Sequence, residues 1–206
     1  MGIRTGKLIV LEGADGSGKS THAGLLAEYL EKRGYKVVLT QEPTNGFIGQ
    51  AIRMILSGRI KVSPETLTLL FTADRAEHVD KVIRPALENG GIVISDRYYY
   101  STIAYQSVQG VSDNWISQMN SFVPEPDLVI VLEVASEKAL ARMSHKEKEV
   151  FEVLNFQKKV QKKLLSLAYG ERTKLSKPGR IWKVISNAGR VEHVQKRIQE
   201  VVDTHL

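Results

Sequence analysis

Residues 13 to 20 read Gly-Ala-Asp-Gly-Ser-Gly-Lys-Ser, a complete G-x-x-x-x-G-K-S phosphate loop. It sits directly after the apolar run Leu8-Ile9-Val10-Leu11 and directly before a stretch with helical spacing, so the chain must supply a buried strand, a tight loop and a helix in succession. Wrapping a polyphosphate in successive backbone N–H groups needs dihedrals and a close approach that side chains would obstruct, which gives Gly13, Gly16 and Gly18 a physical reason to be glycine. Lys19 then reaches the β and γ phosphates, Ser20 offers a hydroxyl to Mg²⁺, and the helix N-terminus favours the negative charge. A nucleoside triphosphate is the ligand this pattern predicts.

The 206 residues, 42% of them hydrophobic, suffice for one sizeable core, and the chain is expected to be one domain over 1–206. There are no cysteines, which excludes disulfides, thiol nucleophiles and cysteine-based zinc sites. Met1 to Lys7 run straight into the first strand without a signal-peptide pattern, and no apolar run approaches the roughly 20 residues that span a bilayer. A soluble cytoplasmic protein without membrane partners is expected. The net charge of +6 is local, because Ala141 to Lys183 hold 12 Lys and Arg against 4 Asp and Glu. Lys158-Lys159 and Lys162-Lys163 repeat at helical spacing with no interleaved aromatics, so a solvated helix face is expected there rather than a nucleic-acid footprint.

Short β-rich runs at Lys7 to Glu12, Lys36 to Thr40, Ile92 to Ser95, Leu128 to Glu133 and Ile181 to Ile185 alternate with longer helical patterns. Such alternation predicts an α/β, three-layer architecture: a five-stranded parallel sheet with helices on both faces. Ser20 to Arg33 forms a helix that stops at Gly34. Another begins after Ser63, an N-cap followed by Pro64, and runs towards the interruption at Pro85 or the stop at Asn89-Gly90. The polar stretch 143–150 lies between two helical patterns and is expected to be a short lid.

A phosphate loop alone does not separate kinases, GTPases, ATPases and ligases. The strand Ile92 to Ser95 ends in Asp96-Arg97-Tyr98, at the carboxyl edge where open α/β sheets bind ligands. There Asp96 is placed to orient a Mg²⁺-bound water and Arg97 to grip a phosphate, with a surface ion pair as the plainer alternative. Phe71 and Arg75, four residues apart, share one helix face, a spacing that suits a stacked base but more often means a core ring beside a surface cation.

Together, the phosphate loop, Gln41-Glu42-Pro43-Thr44, Phe71-x-x-x-Arg75 and Asp96-Arg97-Tyr98 followed by Ser101-Thr102-Ile103-Ala104-Tyr105-Gln106 resemble the thymidylate kinase family in order and spacing, over nearly the whole chain. The resemblance implies a P-loop NTPase fold and transfer of the ATP γ-phosphoryl group to dTMP, in a homodimer with Mg²⁺. Gly13, Ala14, Asp15, Gly16, Ser17, Gly18, Lys19, Ser20 and Thr21 would bind ATP, and Ser20 and Asp96 would hold the metal. Asp15 would take the sugar 3′-hydroxyl, Phe71 would stack on thymine and Arg75 would reach its O4. Arg97 would hold the monophosphate, Ser101 and Gln106 would read the pyrimidine edge, and Tyr105 would lie against the deoxyribose. Glu42 would sit near the magnesium and the acceptor phosphate.

Two positions depart from the family pattern. Gly16 places the chain in the branch whose lid supplies arginines, yet the lid carries Lys146 and Lys148, with Arg142 just before it and Val150 where the family has arginine. Gln41 stands where many members have arginine, which keeps hydrogen bonding but loses charge. Two other readings are a kinase for a different nucleotide or nucleoside and a catalytically silent nucleotide-binding module.

Overall fold

The computed structural model describes residues 6–135, 147–170 and 181–206, with side chains given for all of these except 147–152. Five strands, β1 (Lys7–Glu12), β2 (Val37–Gln41), β3 (Ile92–Asp96), β4 (Leu128–Glu133) and β5 (Ile181–Ser186), form one sheet in the order β2-β3-β1-β4-β5. All four pairings are parallel, with Leu11 beside Asp96 and Glu12 beside Val131. The helices are α1 (Lys19–Lys32), α2 (Phe47–Leu56), α3 (Pro64–His78), α4 (Arg84–Glu88), α5 (Tyr99–Val108), α6 (Asp113–Met119), α7 (Glu147–Ala168) and α8 (Val191–Asp203).

The central strands are apolar at successive positions because each face of the sheet is covered. Leu8, Val10, Val93, Val129 and Val131 point into a core closed by Ile103 on α5 and by Val160 and Leu164 on α7. Their alternates Ile9, Leu11, Ile94, Ile130 and Leu132 pack against Leu26 and Leu30 on α1 and Ile198 and Val202 on α8. Alternation of Cβ directions along a strand turns one apolar run into two cores. At roughly 1.5 to 3 kcal/mol per buried aliphatic side chain, these two layers are what hold the helices on the sheet.

The helix after Ser63 runs on to Asn89-Gly90 and is disturbed on the way. Ser63 Oγ accepts from the Thr66 N–H at 3.1 Å, as an N-cap should. A π-helical turn, Val79–Ile83, then joins α3 to α4. Pro85 lacks an N–H and crowds the carbonyl four residues back, and the wider turn just before it absorbs that mismatch. Residues 147–150 of the expected lid form the opening of α7, whereas 143–146 and Arg142 lie outside the described residues. Among the described residues no helix is long and apolar enough to cross a membrane.

Candidate active site

β1 and β3 are neighbours whose outgoing chains leave to opposite sides, β1 towards β2 and β3 towards β4. A crevice opens at the carboxyl ends of such strands, and here it receives the phosphate loop from one and Asp96-Arg97-Tyr98 from the other. Gly16 and Gly18 have φ of 73° and 87°, values that side chains disfavour, and Gly18 in this conformation starts α1 without a side-chain cap. Asn187, after β5, ties the loop from the far side by donating to the Ser17 carbonyl at 2.5 Å.

Lys19 is folded back on the loop, its Nζ donating to the Ala14 carbonyl at 2.9 Å. Burial, with Arg97 nearby, lowers its pKa to about 7, against the opposing pull of Asp96, Asp15 and Glu12. A polyphosphate entering the loop restores the charge, because an anion at contact favours the protonated amine. The Ser20 hydroxyl donates to Asp96 Oδ2, while Asp96 Oδ1 is buried and has no hydrogen-bond partner. A hydroxyl beside a carboxylate oxygen without a partner fits Mg²⁺, which takes one or two protein oxygens and completes its shell with water and phosphate. The described residues accordingly gather no group of three or more His, Cys, Asp or Glu as a metal cage.

Arg97 is the crossing point. It is the one described non-glycine residue with positive φ, 73°, held there by its N–H on the Leu11 carbonyl at 3.0 Å and by Ser95 Oγ on its own carbonyl at 2.7 Å. Its guanidinium pairs with Asp15, donates to Ser101 Oγ at 2.9 Å and to the Gly13 carbonyl at 3.2 Å, and lies 5.1 Å from the Tyr105 ring centre. Burial opposes its charge, but Tyr105, Asp15, Glu12 and Asp96 outweigh that and hold its pKa above the ordinary value. Asp15 is likewise resisted by burial, yet Arg97 and Lys19 keep its carboxyl below the usual range. Burial pushes the Tyr105 hydroxyl up.

Beside Arg97 one pocket collects Asp15, Glu42, Phe71, Arg75, Ser101, Tyr105 and Gln106, with Pro43 and Leu56 adding apolar wall. A second, on the other side of the loop, is lined by Gly16, Gly18, Lys19, Ser20 and Thr21 together with Asn187 and Gly189. Most of the residues expected from sequence thus line one or other of these two pockets, Asp96 lines neither, and several side chains are turned towards protein partners. Arg75 is buried, giving its Nε to Glu42 at 2.8 Å, Nη1 to Asn120 Oδ1 at 2.7 Å and Nη2 to Thr102 Oγ1 at 3.0 Å. Glu42 faces Arg75 and His78 Nδ1, the latter at 3.1 Å. The Ser101 hydroxyl is spent between Glu12 and Arg97. Among the residues lining this pocket, Gln106 keeps a buried amide oxygen with no hydrogen-bond partner.

Besides Asn187 and Gly189, four residues at or beside the site were not foreseen from the sequence. Gln157 on α7 grips Asp15 twice, taking its backbone N–H at 3.0 Å and giving Nε2 to its carboxylate at 2.7 Å. It interrupts the buried stripe 157, 160, 164, 167, where a lone polar residue at helical spacing is the readable signal. His78 and Asp74 extend the buried face of α3 in the same way, and Asp74 holds the Thr44 N–H and hydroxyl at 2.8 and 2.6 Å. Glu12 is a buried acid that ends β1 directly after the buried apolar run Leu8 to Leu11. Burial raises its pKa to about 7, although Ser101, Arg97 and the Tyr98 N–H pull downwards.

Comparison with known proteins meets this geometry from outside. A family profile described as thymidylate kinase matches residues 11–198. A probable thymidylate kinase of Thermococcus kodakarensis is 43% identical over 210 residues, covering 96% of this chain and 98% of its own. Another, from Pyrococcus horikoshii, is 48% identical over 170 residues, covering 79% of this chain and 83% of its own. The crystal structure of thymidylate kinase from Ehrlichia chaffeensis superposes with a TM-score of 0.76 at 30% identity, over 96% of this chain and 98% of that one. A phosphate loop locked to an arginine-lined pocket, and likeness along nearly its full length, give the same assignment: the chain belongs to the thymidylate kinase family.

Proposed function

We propose that this chain transfers the γ-phosphoryl group of ATP to dTMP, giving dTDP and ADP. The observation that carries the reading is the Asp15–Arg97 pair, which ties the phosphate loop to the wall of the neighbouring pocket, so that a donor held by the loop and an acceptor held by Arg97 would lie side by side. An acceptor phosphate oxygen attacks the γ phosphorus as the bond to the β–γ bridging oxygen breaks, and ADP leaves. No general base is needed, since the acceptor oxygen is already ionised near neutral pH. Both reactants are anions, so the protein's contribution is positioning and charge neutralisation.

In this reading the backbone from Gly13 to Thr21 and the side chain of Lys19 hold the triphosphate, and Arg97 holds the acceptor monophosphate. Phe71, with Pro43 and Leu56, walls the base; Gln106 offers its free oxygen to a base N–H; Asp15 takes the 3′-hydroxyl and Tyr105 flanks the sugar. Arg75 and Glu42, bound to one another, shape the pocket floor, with any remaining Arg75 N–H left for O4. Ser20 and Asp96 would hold Mg²⁺, which when bound neutralises the β and γ phosphates. The lid cation would be Arg142, Lys146 or Lys148, whose side chains lie outside the described residues. A single cytoplasmic domain acting as a homodimer, with no nucleic-acid or membrane partner, belongs to the same proposal; exposed Phe47, Met54 and Leu56 on α2 and Leu69 on α3 support the dimer.

The test is Mg²⁺- and ATP-dependent phosphorylation of dTMP, dUMP, dCMP, dAMP, dGMP and UMP at equal concentrations, with Lys19→Ala as blank. A preference for dTMP that vanishes in the blank is expected. ATP binding without transfer to any acceptor favours a silent nucleotide-binding module instead.

A further inference from the structure

Glu12 is wholly buried and lines neither pocket, yet its carboxylate hydrogen bonds among the described residues all go to the N-cap and first turn of α5. Oε1 accepts from the Tyr98 N–H at 2.9 Å and the Ser101 N–H at 3.2 Å, and Oε2 accepts from the Ser101 hydroxyl at 2.6 Å. Tyr98, the residue at the N-cap of α5, provides no side-chain cap of its own, so a carboxylate 86 residues earlier does that work. The same Ser101 Oγ accepts from Arg97 Nη1 at 2.9 Å. A hydroxyl has one proton, and Glu12 takes it; the lone pairs that remain are thereby aimed at Arg97.

We infer that Glu12 is a positioning residue for phosphoryl transfer: by fixing the Ser101 hydroxyl and the first turn of α5, it holds the Arg97 guanidinium in the wall of the acceptor pocket, against Asp15 of the phosphate loop. Arg97 needs such support, because its backbone sits at φ 73° and its fork must stay aligned for a phosphate. The inference rests on the acceptor reading of Arg97 given above.

Glu12→Gln separates this role from capping alone. The amide keeps an oxygen for the two backbone N–H groups but replaces the acceptor opposite Ser101 with a donor, which turns the hydroxyl and competes with Arg97 for its lone pairs. The variant is expected to unfold at the wild-type temperature within a few degrees and to keep the KM for ATP within about twofold, while kcat/KM for dTMP falls about tenfold or more, as misplacement of a positioning group does. Ser101→Ala is expected to lower kcat/KM for dTMP similarly, and to add little in the Glu12→Gln background, because both cut one link. A Glu12→Gln enzyme with wild-type constants for dTMP, or one whose losses for ATP and dTMP are equal, overturns the positioning role. If the amide variant fails to fold, Ser101→Ala carries the test by itself, and a dTMP kcat/KM within twofold of wild type overturns the role. A wild-type chain that does not phosphorylate dTMP, or an Arg97→Ala variant that keeps the wild-type constants, overturns the acceptor reading and the positioning role with it.

Discussion

Arg97 spends backbone strain to point a guanidinium inward, and its replacement tests whether charge alone suffices. Lysine keeps the charge but is a point donor that cannot hold Asp15 and a phosphate oxygen together, so Arg97→Lys is expected to lower kcat/KM for dTMP about 100-fold in steady-state assays. Glu12 makes a prediction of a different kind. Its folded pKa of about 7 lies above the ordinary 4.5, so between those values the folded protein binds more protons than the unfolded chain. Its contribution to stability is therefore complete below pH 4.5 and is lost as pH rises through 7. Urea unfolding at a series of pH values should show this decline in the wild type, in a site faced by Lys19, Arg97 and Ser101, and a flatter profile in Glu12→Gln. At this scale sequence reading reached the residues whose chemistry is local, such as Lys19, Ser20 and Asp96. It missed Glu12 and did not foresee the contacts of Arg75 with Glu42, Asn120 and Thr102, because those partners come from segments 27 to 89 residues away, which periodicity does not register.

The elements were legible because their signals are repetitive. β2 was expected over Lys36 to Thr40 and occupies Val37–Gln41, and the strand β4 coincides with its apolar run. The π turn before Pro85 was not legible, since proline announces a conflict without saying how the helix will resolve it. The cap that starts α3 was, and Ser63→Ala is expected to cost about 1 kcal/mol in urea unfolding with phosphorylation unchanged. Gly49 in α2 contrasts with it. A Cβ there would collide with the Thr44 carbonyl, in a loop that Asp74 and Arg53 already hold from two sides. Gly49→Ala should lower stability by about 1 to 3 kcal/mol and move Pro43, a pocket wall, so that KM for dTMP rises while ATP binding is spared.

At the scale of the whole molecule, both pockets open on the carboxyl edge of one sheet, and Asp15, from the phosphate loop of one, pairs with Arg97 in the wall of the other. Ligand binding should therefore stabilise the entire fold. dTMP at 100 times its Kd is expected to add about 2.7 kcal/mol, read as a rise in unfolding temperature that Arg97→Ala abolishes. The alternation of strands and helices foretold this sheet, but not which strands would sit side by side, because adjacency depends on crossovers rather than on local pattern. That order has a consequence for synthesis. β1 carries the phosphate loop and is made first, yet its two neighbours are β3, beginning at residue 92, and β4, beginning at 128. Gln157, which clasps Asp15, comes later still. Until the segment from residue 128 onwards has been made, β1 keeps at least one edge uncovered, so the nascent chain is most exposed to aggregation, and most in need of a chaperone, in that interval.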